Sequence, residues 1–392
     1  MSSKNRVRMV WLALLVFLGF LSTAQAEQVV KIGLNLSLSG SQEATGISSR
    51  DGAELIRDKI NKAGGLQIGA DRYKVEYVYA DNESTPEGAV SATIKLITQD
   101  KVLGIVGPTS SGNAIPAGGI SESFKTPLIS PTSTNPKTTE NRPFVFRACF
   151  LDNFQGEVMA KFAISDLKAT KAAVLYNIAS AYPKGLAEFF KISFEKKQGA
   201  GSVVIFENYL TSEEKDLSSH VGRIVASDAD VLFLPQYASE IPALISQIRA
   251  GGWKKPILGG DAWESSDLMA NCGDLCKGSY FSSHFGAIGA EGITKTFVDE
   301  YQAKTNQLPT GYSALGYDAA YLLLTAISSV ESLNPDLLVE RTMIKDKLAS
   351  IKGFEGVSGT LDMNASGDPI KSAVVILINK DGDFESYKTE NP

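Results

Sequence analysis

Short apolar strands alternate with amphipathic helices along most of the chain, and this alternation restricts the fold more than any other feature. Residues 29–35 are predicted to form the first strand. An amphipathic helix over residues 50–63 ends at Gly64 and Gly65, and residues 74–79 form the next strand. A regular succession of strand and helix is typical of parallel sheets packed against helices. We therefore predict an α/β fold.

The alternation starts again further along the chain, which indicates a second α/β block. Residues 172–176, 203–207 and 231–234 are predicted strands separated by helical segments. Longer helices follow, and two closing strands are predicted at 357–361 and 373–378. A chain of 392 residues is longer than one hydrophobic core usually serves, so two domains are expected. The late elements suggest that the chain crosses between the domains more than once.

The N-terminus has the pattern of a secretory signal peptide, which we assign to residues 1–26. Lys4, Arg6 and Arg8 precede an apolar run at 10–21, and small residues lead up to a cleavage site after Ala26. The run is shorter than the roughly 20 residues that span a bilayer. Because no cysteine follows the cleavage site, we expect a soluble periplasmic protein rather than a lipoprotein.

The charge of the chain excludes several classes of partner. The formal net charge is −6 at pH 7, and it becomes −9 once the three basic residues of the leader are removed. An acidic protein lacks the positive surface that attracts nucleic acids or anionic lipids. We expect no nucleic-acid partner, and no membrane insertion after the signal peptide is cleaved.

The cysteines and histidines limit the covalent and metal chemistry. Cys272 and Cys276 flank a short loop that contains glycine, and we expect them to form a disulfide in an oxidising compartment. Cys149 is then left buried and unpaired. Three free thiols are the alternative, because pairing cannot be deduced from sequence. The two histidines, His220 and His284, are not spaced as zinc ligands, so we expect no metal site.

The sequence contains no catalytic or cofactor-binding motif. It lacks a Gly-x-Gly-x-x-Gly after a strand, a phosphate-binding loop ending in Gly-Lys-Ser/Thr and a nucleophile elbow. We therefore expect neither a cofactor nor enzymatic activity.

Two clusters of hydroxyl residues follow neighbouring predicted strands. Residues 107–112 (GPTSSG) follow the strand at 102–106, and residues 131–136 (PTSTNP) follow the strand at 128–130. Open α/β sheets bind ligands at the carboxyl ends of their strands. Hydroxyls and free N–H groups at a helix N-terminus are donors, so the pair of clusters suits a carboxylate. The alternative is that these residues only cap helices and fill turns.

Aromatic and acidic residues occupy the equivalent positions of the second block. Tyr182, Tyr237 and Asp261 each follow a predicted strand. A carboxylate between glycine and aromatic residues can hold an ammonium group through a charge-assisted hydrogen bond. The alternative is a surface aspartate beside ordinary amphipathic tyrosines. Donors in one block and a negative group in the other indicate a ligand that carries both charges.

Several segments together form a specific signature. They are residues 30–40 (VKIGLNLSLSG), 60–65 (INKAGG), 107–111 (GPTSS), 129–136 (ISPTSTNP), 182–185 (YPKG) and 316–319 (GYDA). Through them the mature chain resembles the branched-chain amino-acid-binding proteins of bacterial ABC importers, the periplasmic Leu/Ile/Val-binding type. The resemblance implies a type I periplasmic binding protein, with two Rossmann-like lobes, three crossovers and a ligand cleft between the lobes.

The resemblance also implies how the chain is divided. Lobe 1 would comprise residues 27–150 and 285–370, and lobe 2 would comprise residues 151–284 and 371–392. This division agrees with the two predicted blocks and with the late return of the chain.

The resemblance further implies which residues bind the carboxylate of an amino acid. The hydroxyls of the family correspond to Ser111 and Thr134, with backbone contributions at Thr109 and Ser133.

The ammonium-binding residues of the family correspond to Tyr182, Tyr237 and Asp261. Leu/Ile/Val binders typically carry glutamate at the acidic position, and aspartate is one methylene shorter. Thr45 corresponds to a position where those binders often have an aromatic residue against the ligand side chain. The resemblance therefore supports an α-amino-acid ligand more strongly than the identity of its side chain.

The function implied is that of an extracytoplasmic solute-binding protein. It would close around an amino acid, aliphatic or branched-chain, and deliver it to the membrane permease of an ABC transporter. We expect a monomer. The alternatives are a binding protein of the same fold for an amide, urea or aromatic acid, and a sensory ligand-binding component.

Overall fold

The computed structural model describes residues 28–211 and 213–392, and the predicted signal peptide at 1–26 lies outside them. Within the described ranges, no helix is both long enough and apolar enough to cross a bilayer. Two large sheets organise the fold, and a small third sheet accompanies the first.

The first sheet is formed by the N-terminal part of the chain. Its strands are β1 (Val29–Leu36), β2 (Leu66–Ile68), β3 (Asp71–Asp81), β4 (Gly104–Val106), β5 (Leu128–Ser130) and β6 (Val145–Arg147). Their order is β2-β3-β1-β4-β5-β6, and all neighbours are parallel except the β2–β3 hairpin. Separate apolar cores lie on its two faces, which explains the continuous apolar runs of the central strands.

The second sheet combines the middle of the chain with its C-terminus. Its strands are β7 (Ala172–Asn177), β8 (Val203–Tyr209), β9 (Val231–Leu234), β10 (Ile257–Gly259), β11 (Tyr280–Ser283), β15 (Ala373–Ile378) and β16 (Phe384–Glu390). Their order is β16-β15-β11-β10-β9-β7-β8, with β15 antiparallel to both neighbours. The small third sheet consists of β12 (Phe354–Gly356), β13 (Gly359–Met363) and β14 (Pro369–Ile370).

Helices connect the parallel strands and cover both sheets. They are α1 (Glu43–Lys62), α2 (Pro86–Thr98), α3 (Ser111–Ser123), α4 (Asp152–Ser165), α5 (Ala181–Gln198), α6 (Ser218–Ala226), α7 (Ile241–Ala250), α8 (Leu268–Cys272), α9 (Gly292–Thr305), α10 (Gly311–Ser328) and α11 (Leu337–Ala349). The structure thus has the predicted α/β architecture.

The late helices pack on the first sheet, although the second sheet precedes them in sequence. Buried residues of α10 share one core with β1 and α1. The two helices approach closely, since a Cβ on Gly52 would lie 1.9 Å from the Ser313 carbonyl oxygen. A Cβ on Gly316 would lie 2.2 Å from the Ser49 carbonyl oxygen. Glycine at these two positions therefore permits the packing that returns the chain to the first sheet.

The chain passes between the two sheets three times. The passages run from β6 to α4, from β11 to α9 and from β14 to β15. Phe150 and His284 lie on the first two passages, and their rings stack with centroids 3.7 Å apart. Lys371, on the third passage, is 4% exposed. Two lobes joined by three connections are the arrangement that the resemblance implies.

Some predicted element boundaries differ from the structure. Helix α1 starts at Glu43 rather than residue 50, and its Gly46 passes so close to the Ser37 carbonyl that a Cβ would lie 1.9 Å from it. The strand predicted at 357–361 is instead the turn and second strand of the β12–β13 hairpin. Both differences arise because tertiary packing overrides local propensity.

The cysteines are arranged as a pair and a single thiol. Cys272 and Cys276 are bonded, with their Cα atoms 5.7 Å apart. Cys149 is a buried free cysteine. The bond closes the end of α8 onto the short turn that leads to β11.

Candidate ligand-binding site

The residues after β4 and β5 form one wall of the candidate site. Helix α3 begins at Ser111, and the segment 132–134 follows β5. Ser111 is 1% exposed and Thr134 is fully buried. Ser133 Oγ donates to Ser111 Oγ over 3.0 Å. The structure therefore brings the two predicted hydroxyl clusters into direct contact.

Side-chain hydrogen bonds hold these two segments in register. Thr132 Oγ1 donates to the Thr109 carbonyl over 2.9 Å, and Ser130 Oγ donates to the Pro108 carbonyl over 2.6 Å. These two hydroxyls stabilise the loops, as the capping and turn-filling interpretation expected. The side chains next to them are the ones left for a ligand.

Arg147 holds the backbone of the same wall in place. Its guanidinium is fully buried, pairs with Asp368 and donates to the carbonyls of Ser133 and Asn135. Because these carbonyls are turned toward Arg147, the backbone of the segment is held in one conformation. A buried pair satisfied in this way is costly to break.

Several buried polar atoms on this wall have no hydrogen-bond partner among the residues that the structure describes. They include Thr109 Oγ1 and Thr134 Oγ1. Both carboxylate oxygens of Asp152, which lies beside Thr134 at the start of α4, are unpaired among these residues as well. Buried polar groups are nearly always paired with protein, water or ligand. The first N–H groups of α3 also lack intrahelical acceptors, which favours an anion there. These atoms mark the wall as a binding surface.

Asp261 is the centre of the opposite wall. It follows β10, is 5% exposed, and accepts at Oδ1 from Tyr182 Oη over 2.7 Å and from Gln155 Nε2 over 2.9 Å. Its Oδ2 lies 3.0 Å from His284 Nε2. A carboxylate has about four acceptor sites, so capacity for one further donor remains.

The two tyrosines lie side by side next to Asp261. The rings of Tyr182 and Tyr237 have centroids 5.2 Å apart. Tyr182 Oη donates to Asp261 and also accepts from Ala262 N over 3.3 Å, so its only hydrogen is used. Tyr237 Oη lies 3.4 Å from Ser180 Oγ. Tyr182 therefore supports the carboxylate, while its ring and that of Tyr237 provide apolar surface.

The two walls face each other across one gap. Asp152 N donates to the Thr134 carbonyl over 2.9 Å, and the charge of Asp261 acts on the Asp152 carboxyl. Asn135 Nδ2 on the first wall donates to the Ala181 carbonyl on the second over 3.1 Å. Asp152 is thus hydrogen-bonded to Thr134 on the first wall and is close enough to Asp261 on the second wall for the two charges to interact.

Two of the acidic groups here titrate unusually. Burial and, to a smaller extent, the nearby Asp261 charge raise the pKa of Asp152 to about 8. The Thr134 hydroxyl and the Arg147 guanidinium partly offset this, although Thr134 is not aligned for a hydrogen bond. Burial also raises the pKa of Glu264 to about 7. A cation placed near these carboxyl groups would favour their charged forms.

A cavity of about 110 Å³ adjoins this gap. Its lining includes Thr45 from the first lobe, Tyr237 and Ala262 from the second, and Tyr312 from α10. Two cavities of about 400 Å³ share lining residues with it, but neither contains any predicted ligand-binding residue. We locate the site at the smaller cavity because two of the predicted ligand-binding residues, Thr45 and Tyr237, line it.

Comparison with known proteins identifies the family. Residues 29–383 match the model of the periplasmic binding protein family. The chain belongs to the periplasmic binding protein family.

Members of this family with known names are similar over nearly the whole chain. A Leu/Ile/Val-binding protein homologue of Brucella melitensis is 29% identical over 356 residues, which is 90% of this chain and 91% of the relative. A leucine-binding protein of Thermotoga maritima superposes with a TM-score of 0.84 at 30% identity, covering 93% of this chain and 99% of the other.

A branched-chain amino-acid transporter substrate-binding protein of Streptococcus pneumoniae, solved in complex with isoleucine, is also similar. Its TM-score is 0.84 at 32% identity, covering 93% of this chain and all of the other. The two-lobed periplasmic binding protein fold that the sequence predicts is therefore confirmed.

The predicted ligand-binding residues of this periplasmic binding protein fall into two groups, one in each lobe, which are joined through Asn135 and Ala181. Ser111, Thr134, Thr109 and Ser133 form the first wall. Tyr182, Tyr237 and Asp261 form the second, and Thr45 lines the adjoining cavity. Their contacts with a ligand stay a prediction.

Sequence reasoning missed three buried residues. Asp152 begins α4, Gln155 lies one turn later, and His284 directly follows β11. A position immediately after a strand was the signal that could have identified His284. Nothing local marks Asp152 or Gln155 as polar contacts of Asp261, because they come from a helix more than a hundred residues earlier in the chain.

Proposed function

We propose that this protein is the extracytoplasmic substrate-binding component of an ABC importer and that it carries a free aliphatic amino acid. The observation that carries the proposal is the pair of facing walls. Ser111 and Thr134 supply buried hydroxyls on the first wall, and Asp261 supplies a buried carboxylate on the second. Such a gap is complementary to a molecule with a carboxylate at one end and an ammonium group at the other.

In this proposal the α-carboxylate binds the first wall. The Ser111 hydroxyl, the N–H groups at the start of α3 and backbone groups of the segment 132–134 donate to it. Helix α3 adds the partial positive charge of its N-terminus. The Thr109 carbonyl and the Ser133 side chain hold the loops in place, and Thr109 and Thr134 provide buried hydroxyls beside them.

The ammonium group binds the acidic side of the gap. Asp261 accepts one hydrogen bond, and Asp152 supplies a second negative group. The raised pKa of Asp152 supports this assignment, because the ligand cation relieves the cost of ionising a buried carboxyl. The ligand side chain occupies the cavity between Thr45 and Tyr237.

Binding and closure are linked. We place lobe 1 at residues 27–150 and 285–370, and lobe 2 at residues 151–284 and 371–392. A ligand that contacts both lobes favours the closed state by its differential affinity, and closure excludes water from the polar contacts. The closed shape is what the membrane permease of the transporter recognises. The names of the relatives and the isoleucine bound in one of them support this role.

The mature protein in this proposal is a soluble periplasmic monomer, released by cleavage after Ala26, that binds its ligand without chemical turnover. N-terminal sequencing of the exported protein tests the cleavage site. Light scattering tests the monomer.

A thermal-shift panel tests the proposed function. We expect leucine, isoleucine or valine at millimolar concentration to raise the melting temperature by several degrees. A ligand at about 100 times its dissociation constant stabilises the folded state by about 2.7 kcal/mol. Acetamide, urea and benzoate serve as matched controls that lack one or both charges of an amino acid. A shift with one of these and none with any amino acid would contradict the proposal.

A further inference from the structure

His284 holds one oxygen of the Asp261 carboxylate and has no part in the binding mechanism proposed above. It directly follows β11, on the second passage between the sheets, and is 4% exposed. Its Nε2 lies 3.0 Å from Asp261 Oδ2. Tyr182 and Gln155 both donate to Oδ1, so among the described residues His284 is the group that holds Oδ2.

The surroundings of His284 are apolar on one side and charged on the other. The Phe150 ring covers one imidazole face, with centroids 3.7 Å apart. Nδ1 has no partner within the described part of the chain. The titratable and charged groups that act on the histidine or on its aspartate partner include Asp152, Glu264, Cys149 and Lys371, together with the tyrosines Tyr182, Tyr237 and Tyr312.

A neutral histidine fits this environment better than a charged one. Burial lowers the pKa of His284, Lys371 lowers it further, and the Asp261 carboxylate acts in the opposite direction. A neutral ring that donates from Nε2 leaves Nδ1 as an acceptor. An imidazolium would leave a buried N–H donor without a partner, which is costly.

We propose that His284 is a positioning residue of the ligand site. As a neutral donor, His284 holds the Asp261 carboxylate in place, and when His284 takes up a proton it cancels the charge of that carboxylate. This inference rests on the proposed function. The ligand ammonium and the imidazolium compete for the same carboxylate. By linkage, protonation of His284 weakens ligand binding by a certain free energy, and ligand binding must then disfavour protonation of His284 by the same free energy.

The sign of the pH effect follows from this competition. Above the pKa of His284 the ring is neutral and affinity is highest. Below that pKa the free protein must release a proton before the ligand binds, so affinity falls by up to about tenfold per pH unit. The free amino acid stays zwitterionic between about pH 8 and about pH 5, so this change arises in the protein.

The test is calorimetric titration with leucine across that pH range, using the full mature protein. His284→Gln keeps an amide N–H donor near the position of Nε2 but cannot take up the proton. We expect its affinity to match the wild type at the alkaline end and to fall less steeply than the wild type toward acid, with the remaining slope caused by protonation of Asp152. His284→Ala removes the donor and should weaken binding at every pH. His220→Gln is the matched control, because His220 contacts Glu207 on the outer side of the second sheet.

Two results would overturn the proposal. A His284→Gln variant that retains the wild-type acid slope would show that Asp152 or Glu264 is responsible for it. A folded His284→Ala variant with unchanged leucine affinity would show that His284 does not position Asp261.

A second measurement needs no ligand and so separates this inference from the proposed function. In the free His220→Gln protein, ring ¹⁵N chemical shifts report the state of His284 alone. We expect the neutral Nε2–H tautomer at neutral pH, and a lower histidine pKa after Asp261→Asn removes the nearby negative charge. An imidazolium or an Nδ1–H tautomer at neutral pH would refute the inference even if leucine binds.

Discussion

Replacing Asp261 by asparagine separates the charge of this side chain from its role in the protein. Asparagine keeps one carbonyl oxygen, which can still accept from Tyr182 and Gln155. Its amide would face His284 Nε2, and the histidine can accept that hydrogen bond by changing tautomer. All the protein hydrogen bonds at this position are then preserved, so we expect the free energy of unfolding to change by less than about 1 kcal/mol.

Ligand affinity should change much more. A hydrogen bond to a charged group contributes about 1.5–3 kcal/mol, and asparagine cannot replace it, because its one carbonyl oxygen has two acceptor sites and Tyr182 and Gln155 already use both. The expected loss in leucine affinity is therefore about 10- to 150-fold. Asp261→Ala should lose affinity to at least the same extent and also lose stability, because three buried donors are left without an acceptor.

Isothermal titration calorimetry at neutral pH measures the affinities, and denaturant unfolding measures the stabilities. Asp267→Asn is the control, since Asp267 lines the same cavity but is exposed and lies outside the Asp261 network. It should bind leucine like the wild type. If Asp261→Asn remains folded and binds within about threefold of the wild type, Asp261 does not hold the ammonium group.

Three further changes test other parts of the structure. Ser111→Ala should weaken leucine binding by about tenfold in calorimetry, whereas Ser123→Ala at the exposed end of the same helix should not. The folded-state pKa of Asp152 is raised to about 8, so its ionisation destabilises the folded protein as pH rises. Asp152→Asn should gain stability over the wild type between pH 5 and pH 8, by on the order of 3 kcal/mol, and an equal difference at both pH values would contradict this. Removing the disulfide by Cys272→Ser and Cys276→Ser should lower the unfolding free energy by about 2 kcal/mol, because the closed loop is short.

Local patterns were sufficient for the fold class and for one wall of the site. Strand and helix periodicities are properties of short segments, and they identify the alternation of β1 to β11 with helices. The hydroxyl clusters at 107–112 and 131–136 could be located because the end of a parallel strand is itself a local feature. The element boundaries were less accurate at α1 and at the β12–β13 hairpin, where packing decides where a helix or strand begins.

The sequence by itself determined a two-block α/β chain with an acidic surface charge, a predicted leader and hydroxyl groups at two strand ends. Only the tertiary structure decided what surrounds Asp261. Gln155, Tyr182 and His284 are separated from it by 106, 79 and 23 positions along the chain, and they meet because the passages and helix α4 converge on β10. Burial and the charge of distant neighbours set the protonation of such groups, and neither quantity can be read from a segment of the chain alone.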